Sequence, residues 1–149
     1  MNPIHLAAGE GRSLNILGYT NLIRLSGRDT GGVLSVVETA DKLGEGPPPH
    51  IHHRETETFH VLEGEYEFTC GSKKFLAKKG ATIFGPLGVP HGFRCVSPDG
   101  GRISVTLTPA GFEEFFEEVG ALSAAEQQIP RVMEIGKKYG LEFLPPPTA

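Results

Sequence analysis

The stretch GEGPPPHIHHRETETFHVLEG, residues 44–64, carries the strongest structural information in the chain. It places His50, His52 and Glu57 within eight positions. Because alternate side chains of a β-strand point to the same face, the two histidines can direct their imidazoles at one point. The glutamate follows at an odd offset, so the sequence predicts a turn, bulge or loop residue in the polar segment before it.

A fourth residue of the same kind, His91, follows the turn-rich stretch GPLGVP, residues 85–90. Three imidazole nitrogens and one carboxylate form a ligand set that suits Fe, Mn, Ni, Co, Cu or Zn better than Ca or Mg. The alternative is four polar residues with separate partners, but the complete spaced pattern favours a shared ion. We therefore expect one divalent transition metal ion, held by His50, His52, Glu57 and His91.

Three neighbouring polar residues are expected to lie outside this ligand set. His53 points away from His52 if the strand stays regular, which favours the surface or a supporting contact. His60 is offset by three from Glu57 and is expected to be exposed. Glu55 is a weaker competitor of Glu57 for the metal. Binding needs neutral imidazoles and an ionised carboxylate, so affinity is expected to drop as the pH falls toward the histidine range.

Composition and charge argue against several classes of protein. The 149 residues indicate one domain, and a net charge of -4 argues against nucleic-acid binding. The sequence has no charged leader followed by an apolar core and no apolar run of membrane-spanning length, so we expect a cytoplasmic protein that does not bind membranes. Cys70 and Cys95 are expected to be buried thiols rather than a disulfide. The lysine-rich segment 73–79 is expected to be a solvated strand edge.

Residues 14–108 consist of short strand-like segments separated by glycine- and proline-rich turns. This pattern is typical of a sandwich or barrel rather than of alternating strands and helices. Glu63-Gly64 suits a two-residue hairpin loop. In the strand that follows, Tyr66, Phe68 and Cys70 are expected to face the interior. The expected parts of the chain are an N-terminal arm, the strand region and a C-terminal helical flank, with bounds 1–13, 14–108 and 109–149.

A change of hydrophobic period marks the C-terminal flank. Apolar side chains recur at i, i+3, i+4 and i+7, and glutamates occupy the other helical face. The apolar residues are Phe112, Phe115, Phe116 and Val119, and the glutamates are Glu113, Glu114, Glu117 and Glu118. A capping-box pattern at Ser123–Glu126 and then Pro130 predict further helix starts, and residues 141–144 predict a strand or an apolar anchor. We expect this flank to cover the sheet, and the alternative is a swapped arm or a dimer contact.

Two spaced motifs resemble a known family. The pattern G-x5-H-x-H-x4-E-x6-G, residues 44–64, matches the first motif of the cupin superfamily at every defined position. The pattern G-x5-P-x-G-x2-H, residues 80–91, matches most of the second motif, but Cys95 stands where the family usually has Asn. Because that Asn is not a metal ligand, the expected metal site is unchanged. The resemblance implies an all-β, antiparallel jelly-roll β-barrel that holds the metal inside and leaves two positions of an octahedral ion open.

Within that superfamily, the blocks HIHHRETE (residues 50–57) and VLEGE (residues 61–65) are most similar to small single-domain cupins of the quercetin (flavonol) dioxygenase-like kind. This resemblance implies a metal-dependent oxygenase that acts on a small enol, phenolic or diketone substrate, with Glu57 as general base, and it also favours a homodimer. Aromatic residues that could line a substrate pocket are Phe59, Tyr66, Phe68, Phe84 and Phe93. The alternatives are a metal-dependent isomerase, lyase or decarboxylase, and a small-molecule-binding cupin without catalysis.

Overall fold

The alternating segments of the sequence form short antiparallel strands, and a computed structural model describes residues 1–145. The last four residues of the expected C-terminal flank, 146–149, lie outside the described part. The strands are β1 (Arg12–Ile16), β2 (Tyr19–Leu25), β3 (Ser35–Asp41), β4 (His50–His52), β5 (Thr56–Glu63), β6 (Glu65–Cys70), β7 (Lys73–Lys78), β8 (Thr82–Gly85), β9 (His91–Cys95), β10 (Gly101–Thr108) and β11 (Leu141–Phe143). The helices are α1 (Gly27–Thr30), α2 (Glu113–Gly120) and α3 (Ile129–Lys138).

The strands form two antiparallel sheets. The six-stranded sheet has the order β1-β2-β3-β10-β5-β8, and the five-stranded sheet has the order β11-β4-β9-β6-β7. The predicted all-β jelly roll is confirmed, with the difference that two sheets face each other rather than closing into one continuous barrel. β7 carries the lysine-rich segment and forms an edge of the five-stranded sheet, as expected for a strand that must not pair with another chain.

Alternate side chains of the central strands fill the space between the sheets. Phe59, Phe68 and Phe93 pack there in mutual ring contact, with centroids 5.3 to 5.8 Å apart. Burying each ring contributes about 1.5–3 kcal/mol relative to leaving it exposed. The expected inward positions of Tyr66 and Phe68 are confirmed, since both are fully buried. Cys70 is only partly buried, and both cysteines are unpaired, in line with the expectation of free thiols.

The hairpin expected at Glu63-Gly64 is wrong, because β5 and β6 belong to different sheets. Gly64 instead carries the chain from one sheet to the other, with a φ of 77°. A Cβ at this position would lie 2.5 Å from the carbonyl oxygen of Gly100, so only glycine fits the corner. The sequence pattern of a corner and of a two-residue hairpin is the same here, because both require a positive φ after a strand.

The interruption expected before Glu57 is present, and here too the chain crosses from one sheet to the other. β4 ends at His52, and β5 begins at Thr56 in the opposite sheet. The polar residues between them form a bend that crosses between the sheets. Glu57 therefore approaches the histidines from the facing sheet, and its odd offset from His52 does not point it away from them.

The predicted apolar face of the segment around α2 is buried, but one glutamate of the opposite face is buried as well. Phe112, Phe115 and Val119 are each at most 5% exposed, and α2 packs against β1 and α3. Glu113 was expected to face solvent, yet it is only 3% exposed. Its carboxylate accepts hydrogen bonds from the backbone N–H groups of Gly27 at 2.6 Å and Gly111 at 2.7 Å. These donors satisfy the buried charge, which a helical-face pattern cannot reveal.

The C-terminal segment returns to the five-stranded sheet. The capping-box residues Ser123 and Glu126 make their reciprocal hydrogen bonds, but these close a turn rather than open a helix. α3 begins later, with Pro130 in its first turn. β11 then pairs antiparallel with β4, so the expected strand at residues 141–144 is present. None of the helices in the described residues is long and apolar enough to cross a membrane.

Candidate metal centre

β4 presents two histidines to the interior from a strand of only three residues. His50 is 6% exposed and His52 is 2% exposed, while Ile51 between them points to the other face. β4 is held on one side by β9, where His50 pairs with His91, and on the other side by β11. The short strand is therefore fixed by neighbours on both edges.

Glu57 and His91 complete a buried cluster with these two residues. Glu57 projects from β5 of the facing sheet, and His91 is the first residue of β9. One ligand-type atom of each of the four residues lies within 4.8 Å of all the others. Oε2 of Glu57 lies 3.3 Å from Nε2 of His52 and accepts a hydrogen bond from Nε2 of His91. The structure thus brings together all four residues that the sequence pattern selected.

The three imidazoles have the same orientation relative to the cluster. In each ring Nδ1 faces an acceptor, which is the carbonyl of Pro48 for His50 at 2.8 Å and the carbonyl of Val89 for His91 at 3.1 Å. For His52 the acceptor is the carboxylate of Glu55 at 2.6 Å. Because these oxygens can only accept from the ring, Nδ1 carries hydrogen and Nε2 is directed into the cluster. This is the arrangement in which histidine binds a metal through Nε2.

The surroundings shift the pKa values of three cluster residues. Burial lowers the pKa of His50 to about 4 and outweighs the attraction of Glu57. Burial alone would raise the pKa of the Glu57 carboxyl, but the neighbouring His52 and the hydrogen bond from His91 lower it. Burial alone would lower the pKa of His91, but the hydrogen bond and charge of Glu57 raise it. His50 is therefore neutral and Glu57 ionised near neutral pH, as metal binding requires.

Three aromatic rings lie next to the histidines of the cluster. Phe112 contacts His52 edge-on with ring centroids 4.4 Å apart, and Phe59 lies 5.6 Å from the ring of His91. Phe143 of β11 lies 6.2 Å from the ring of His50. Phe112 and Phe143 come from the C-terminal flank, and neither is among the site residues expected from the sequence. The period of α2 marks Phe112 as buried, but nothing in the sequence links it to His52.

Each of the three neighbouring polar residues contacts a different partner. Glu55 does not compete with Glu57, because its carboxylate contacts the opposite nitrogen of His52. His53 is exposed and contacts the carboxylate of Glu142 at 2.7 Å. His60 is also exposed, and its Nδ1 lies 3.1 Å from the hydroxyl of Thr82. Both histidines thus lie outside the cluster: His60 is on the exposed side of β5, and His53 directly follows the end of β4.

Four of the five candidate pocket aromatics are packed in the core. Phe59, Tyr66, Phe68 and Phe93 are each at most 8% exposed. Phe84, in contrast, is 58% exposed. It lines an open groove of about 490 Å³ at the sheet edges β7 and β8. Other side chains in its wall belong to Cys70, Phe75, Ile83, Pro86 and Val89.

The groove adjoins the strands that carry the cluster. Cys70 in its wall lies opposite His91 in the β6–β9 ladder. Pro86 in its wall directly follows Gly85, which lies opposite Glu57 in the β5–β8 ladder. The groove therefore lies beside the residues that pair with His91 and with Glu57 in the two sheets.

A protein-family model described as a cupin domain matches residues 38–106, a segment that contains the whole cluster and strands β4 to β9. These residues form a cupin domain. In this domain the residue at the usual Asn position, Cys95, is fully buried, and its backbone exchanges hydrogen bonds with Gly44 and Glu45. The departure from the family motif therefore leaves the backbone contacts of β9 intact.

One curated relative has a named activity. The chain is 29% identical over 118 residues to quercetin 2,3-dioxygenase of Bacillus subtilis (strain 168), a match that covers 79% of this chain and 35% of the relative. The chain thus spans about a third of the length of that relative. Two solved structures share the fold. KdgF from Halomonas sp. matches with a TM-score of 0.65 at 19% identity, over 76% of this chain and 99% of that one. An RmlC-like cupin from Shewanella frigidimarina NCIMB 400 matches with a TM-score of 0.61 at 22% identity, over 75% and 96%.

Proposed function

We propose that this cupin binds one divalent transition metal ion through His50, His52, Glu57 and His91. The observation that carries the proposal is the convergence of one ring nitrogen from each of three histidines and one carboxylate oxygen in a buried cluster. Fe, Mn, Ni, Co, Cu and Zn all suit this borderline donor set. The fit is supported by the Nδ1 hydrogen bonds, because they leave each Nε2 directed into the cluster.

Equilibrium dialysis followed by elemental analysis tests the metal site. We expect one ion per chain in the wild-type protein and a strong loss of binding in Glu57→Gln, which keeps the side-chain volume but removes the charge. His60→Ala is the matched control, because His60 is exposed and outside the cluster. Equal binding by wild type and Glu57→Gln would contradict the proposal.

We further propose that the metal-loaded cupin is an oxygenase acting on a small enol, phenol or 1,3-diketone. Support comes from the similarity to quercetin 2,3-dioxygenase over most of this chain. A bound divalent ion supplies Lewis acidity, which lowers the pKa of a substrate oxygen. Glu57 then accepts the substrate proton, since the lowered pKa of its carboxyl keeps it ionised. The surrounding Phe59, Phe112 and Phe143 limit the access of water to the reacting atoms.

The open groove at the sheet edges is the proposed approach for the substrate. Its volume of about 490 Å³ lies within the range of sites that bind drug-sized molecules. Phe75 and Phe84 offer two partly exposed rings for a flat aromatic molecule. Lys73 in the same groove offers a positive charge to a phenolate or enolate. These features favour a planar, weakly acidic substrate.

Oxygen uptake tests the reaction. Protein loaded in turn with Fe, Mn, Ni or Co is supplied with flavonols and with 1,3-diketones in air. We expect uptake that depends on substrate and metal and that is lost in Glu57→Gln. Uptake equal to that of the variant would contradict the oxygenase proposal.

The same substrates under argon separate the alternatives. Product formation without oxygen would assign the site to an isomerase, lyase or decarboxylase. A rise of the melting temperature with a ligand, but no product in air or argon, would assign it to small-molecule binding.

We also propose that the protein forms a homodimer through β1. This strand is the outer edge of the six-stranded sheet, so a second copy could extend the sheet. Sedimentation equilibrium tests this, with twice the chain mass of 16.0 kDa as the expected result. The cytoplasmic location and the three-part division of the chain stay predictions from the sequence.

A further inference from the structure

We propose that Glu55 is a positioning residue that fixes the orientation of His52 and strengthens it as a metal ligand. This inference rests on the proposed metal site, but its test includes a measurement that needs no metal. Glu55 itself does not face the cluster, because its contact is with Nδ1 of His52 rather than Nε2. Its effect on an ion is therefore exerted through the histidine ring.

The contact is short and buried. Oε1 of Glu55 lies 2.6 Å from Nδ1 of His52, and the side chains of both residues are at most 4% exposed. The corresponding nitrogens of His50 and His91 face backbone carbonyls at 2.8 and 3.1 Å. Among the three Nδ1 atoms, only that of His52 has a carboxylate as its acceptor. The cluster is thus asymmetric in the strength of its supporting contacts.

A carboxylate acts on the ring differently from a carbonyl. A hydrogen bond to an ionised acceptor is stronger than one to a neutral acceptor, so it holds the ring more firmly. It also fixes hydrogen on Nδ1 and increases the basicity of Nε2, the atom directed at the cluster. His52 is therefore expected to be the strongest of the three imidazole donors.

Two hydrogen bonds to the C-terminal segment hold the bend that precedes Glu55. The backbone N–H of His53 donates to the carbonyl of Gly140 at 2.9 Å. The guanidinium of Arg54 donates to the carbonyl of Lys138 at 2.8 Å. These two contacts tie the residues between His52 and Glu55 to the end of α3. The bend that leads to Glu55 is thus fixed by hydrogen bonds to backbone carbonyls of a distant part of the chain.

The variants are Glu55→Gln and Glu55→Ala, with Glu142→Gln as the control. Glu142 also pairs with a histidine, His53, but both are exposed and lie outside the cluster. Glu55→Gln keeps the shape and an acceptor oxygen while removing the charge. Glu55→Ala removes the contact, and circular dichroism and thermal unfolding establish whether it folds. If Glu55→Ala does not fold, Glu55→Gln supplies the result.

Titration with Cu(II) and Co(II) is the first measurement. We expect Glu55→Gln to bind each ion about 10- to 100-fold more weakly than the wild type, the usual cost of losing a carboxylate that supports a ligating histidine. The Cu(II) electron paramagnetic resonance spectrum should also change in Glu55→Gln and stay constant in Glu142→Gln. Wild-type affinity and an unchanged spectrum in Glu55→Gln would overturn the proposal and leave the metal site standing.

Nitrogen-15 NMR of the metal-free histidines is the second measurement. In the wild type we expect hydrogen on Nδ1 of His52, and in Glu55→Ala we expect a mixture of the two tautomers. The same tautomer population in both proteins would overturn the role of Glu55 in orientation. If the wild type bound neither ion, the proposed metal site would be wrong, and so would the proposal that Glu55 strengthens a metal ligand. The tautomer measurement would still decide whether Glu55 orients His52.

Discussion

Tyr66 on β6 donates its hydroxyl hydrogen to the carboxylate of Asp41 at the end of β3, with 2.8 Å between the oxygens. Because β6 and β3 lie in different sheets, this hydrogen bond joins the two layers. Tyr66 is fully buried and Asp41 is 7% exposed. Burial raises the pKa of the Asp41 carboxyl, although the hydrogen bonds from Tyr66 and Thr39 oppose the shift. The pair is a structural contact and is not part of the cluster of His50, His52, Glu57 and His91.

Removing the Tyr66 hydroxyl should destabilise the fold. In Tyr66→Phe the buried Asp41 loses one of its two side-chain donors, and we expect the free energy of unfolding to fall by about 1–3 kcal/mol. Urea unfolding followed by circular dichroism measures the change. Tyr19→Phe serves as control, because Tyr19 is 36% exposed. An unchanged midpoint in Tyr66→Phe would show that the bond between the layers contributes nothing.

Metal affinity should increase with pH. Glu57 raises the pKa of His91 through their hydrogen bond, despite the opposing effect of burial. An ion must therefore displace a proton from His91, so the apparent association constant should rise with pH and level off above the pKa of this histidine. Calorimetric titration with Zn(II) in two buffers of different ionisation enthalpy gives the number of protons released. An affinity that is constant between about pH 6 and pH 8 would contradict this coupling.

Without metal, the protein should lose stability as the pH falls from 6.5 toward 4.5. Burial lowers the pKa of His50 from 6.5 to about 4, so the unfolded chain binds a proton in this window and the folded protein does not. We expect this difference to cost about 2–3 kcal/mol across the window. The raised pKa of His91 contributes stability that is fully present below pH 6.5, so this contribution does not change across the window. The lowered pKa of Glu57 reduces stability only as the pH falls below about 4.5.

Urea unfolding of chelator-treated protein at several pH values measures this loss. His50→Asn should show a clearly smaller decrease than the wild type between pH 6.5 and pH 4.5, because Asn takes up no proton. Parallel curves for the two proteins would mean that His50 is not the group responsible.

The C-terminal strand should be needed for stability. Leu141 is 5% exposed, and β11 covers the outer edge of β4. Leu141→Ala is expected to lower the free energy of unfolding by about 2–5 kcal/mol, as for other buried leucines. Ile129→Ala is the matched control, since Ile129 is 64% exposed and should change stability by less than about 0.5 kcal/mol. Equal melting temperatures of the two variants would contradict the role of β11.

The groove at the sheet edges should affect substrate binding but not folding. Phe84 is 58% exposed, so Phe84→Ala should leave the melting temperature nearly unchanged. If the groove receives the substrate, the same variant should raise KM for a flavonol or diketone several-fold. Leu87→Ala is the control, because Leu87 has similar exposure at 52% and does not line the groove. A KM equal to that of the wild type would place the substrate elsewhere.

The four cluster residues could be selected from the sequence because their spacing reflects strand geometry. His50 and His52 share a face of one strand, and the odd offset to Glu57 required an interruption that the structure contains. The sequence did not indicate that the interruption crosses between sheets. The same limit produced the wrong hairpin at Gly64, because a positive φ after a strand is compatible with both a hairpin and a corner.

The supporting contacts of the site could not be predicted, because they depend on residues far apart in the chain. His53 and Glu142 are in contact although they are 89 positions apart. Phe112 lies directly before α2, and the helical period indicates its burial without naming the partner. From the sequence alone Glu55 is a competing ligand, because it is a carboxylate close to the motif. Only the conformation of the bend turns it toward Nδ1 of His52.

The pairing of β4 with β11 has a consequence for the order of events during synthesis. A ribosome releases the histidine-bearing strand long before the segment that borders it, so the strand has a bare outer edge while the rest of the chain is made. An ion at the proposed site would therefore take its final geometry only after β11 has been made. Chains that stop early, before Leu141, would leave the ribosome with the histidines present but the strand that carries them unsupported.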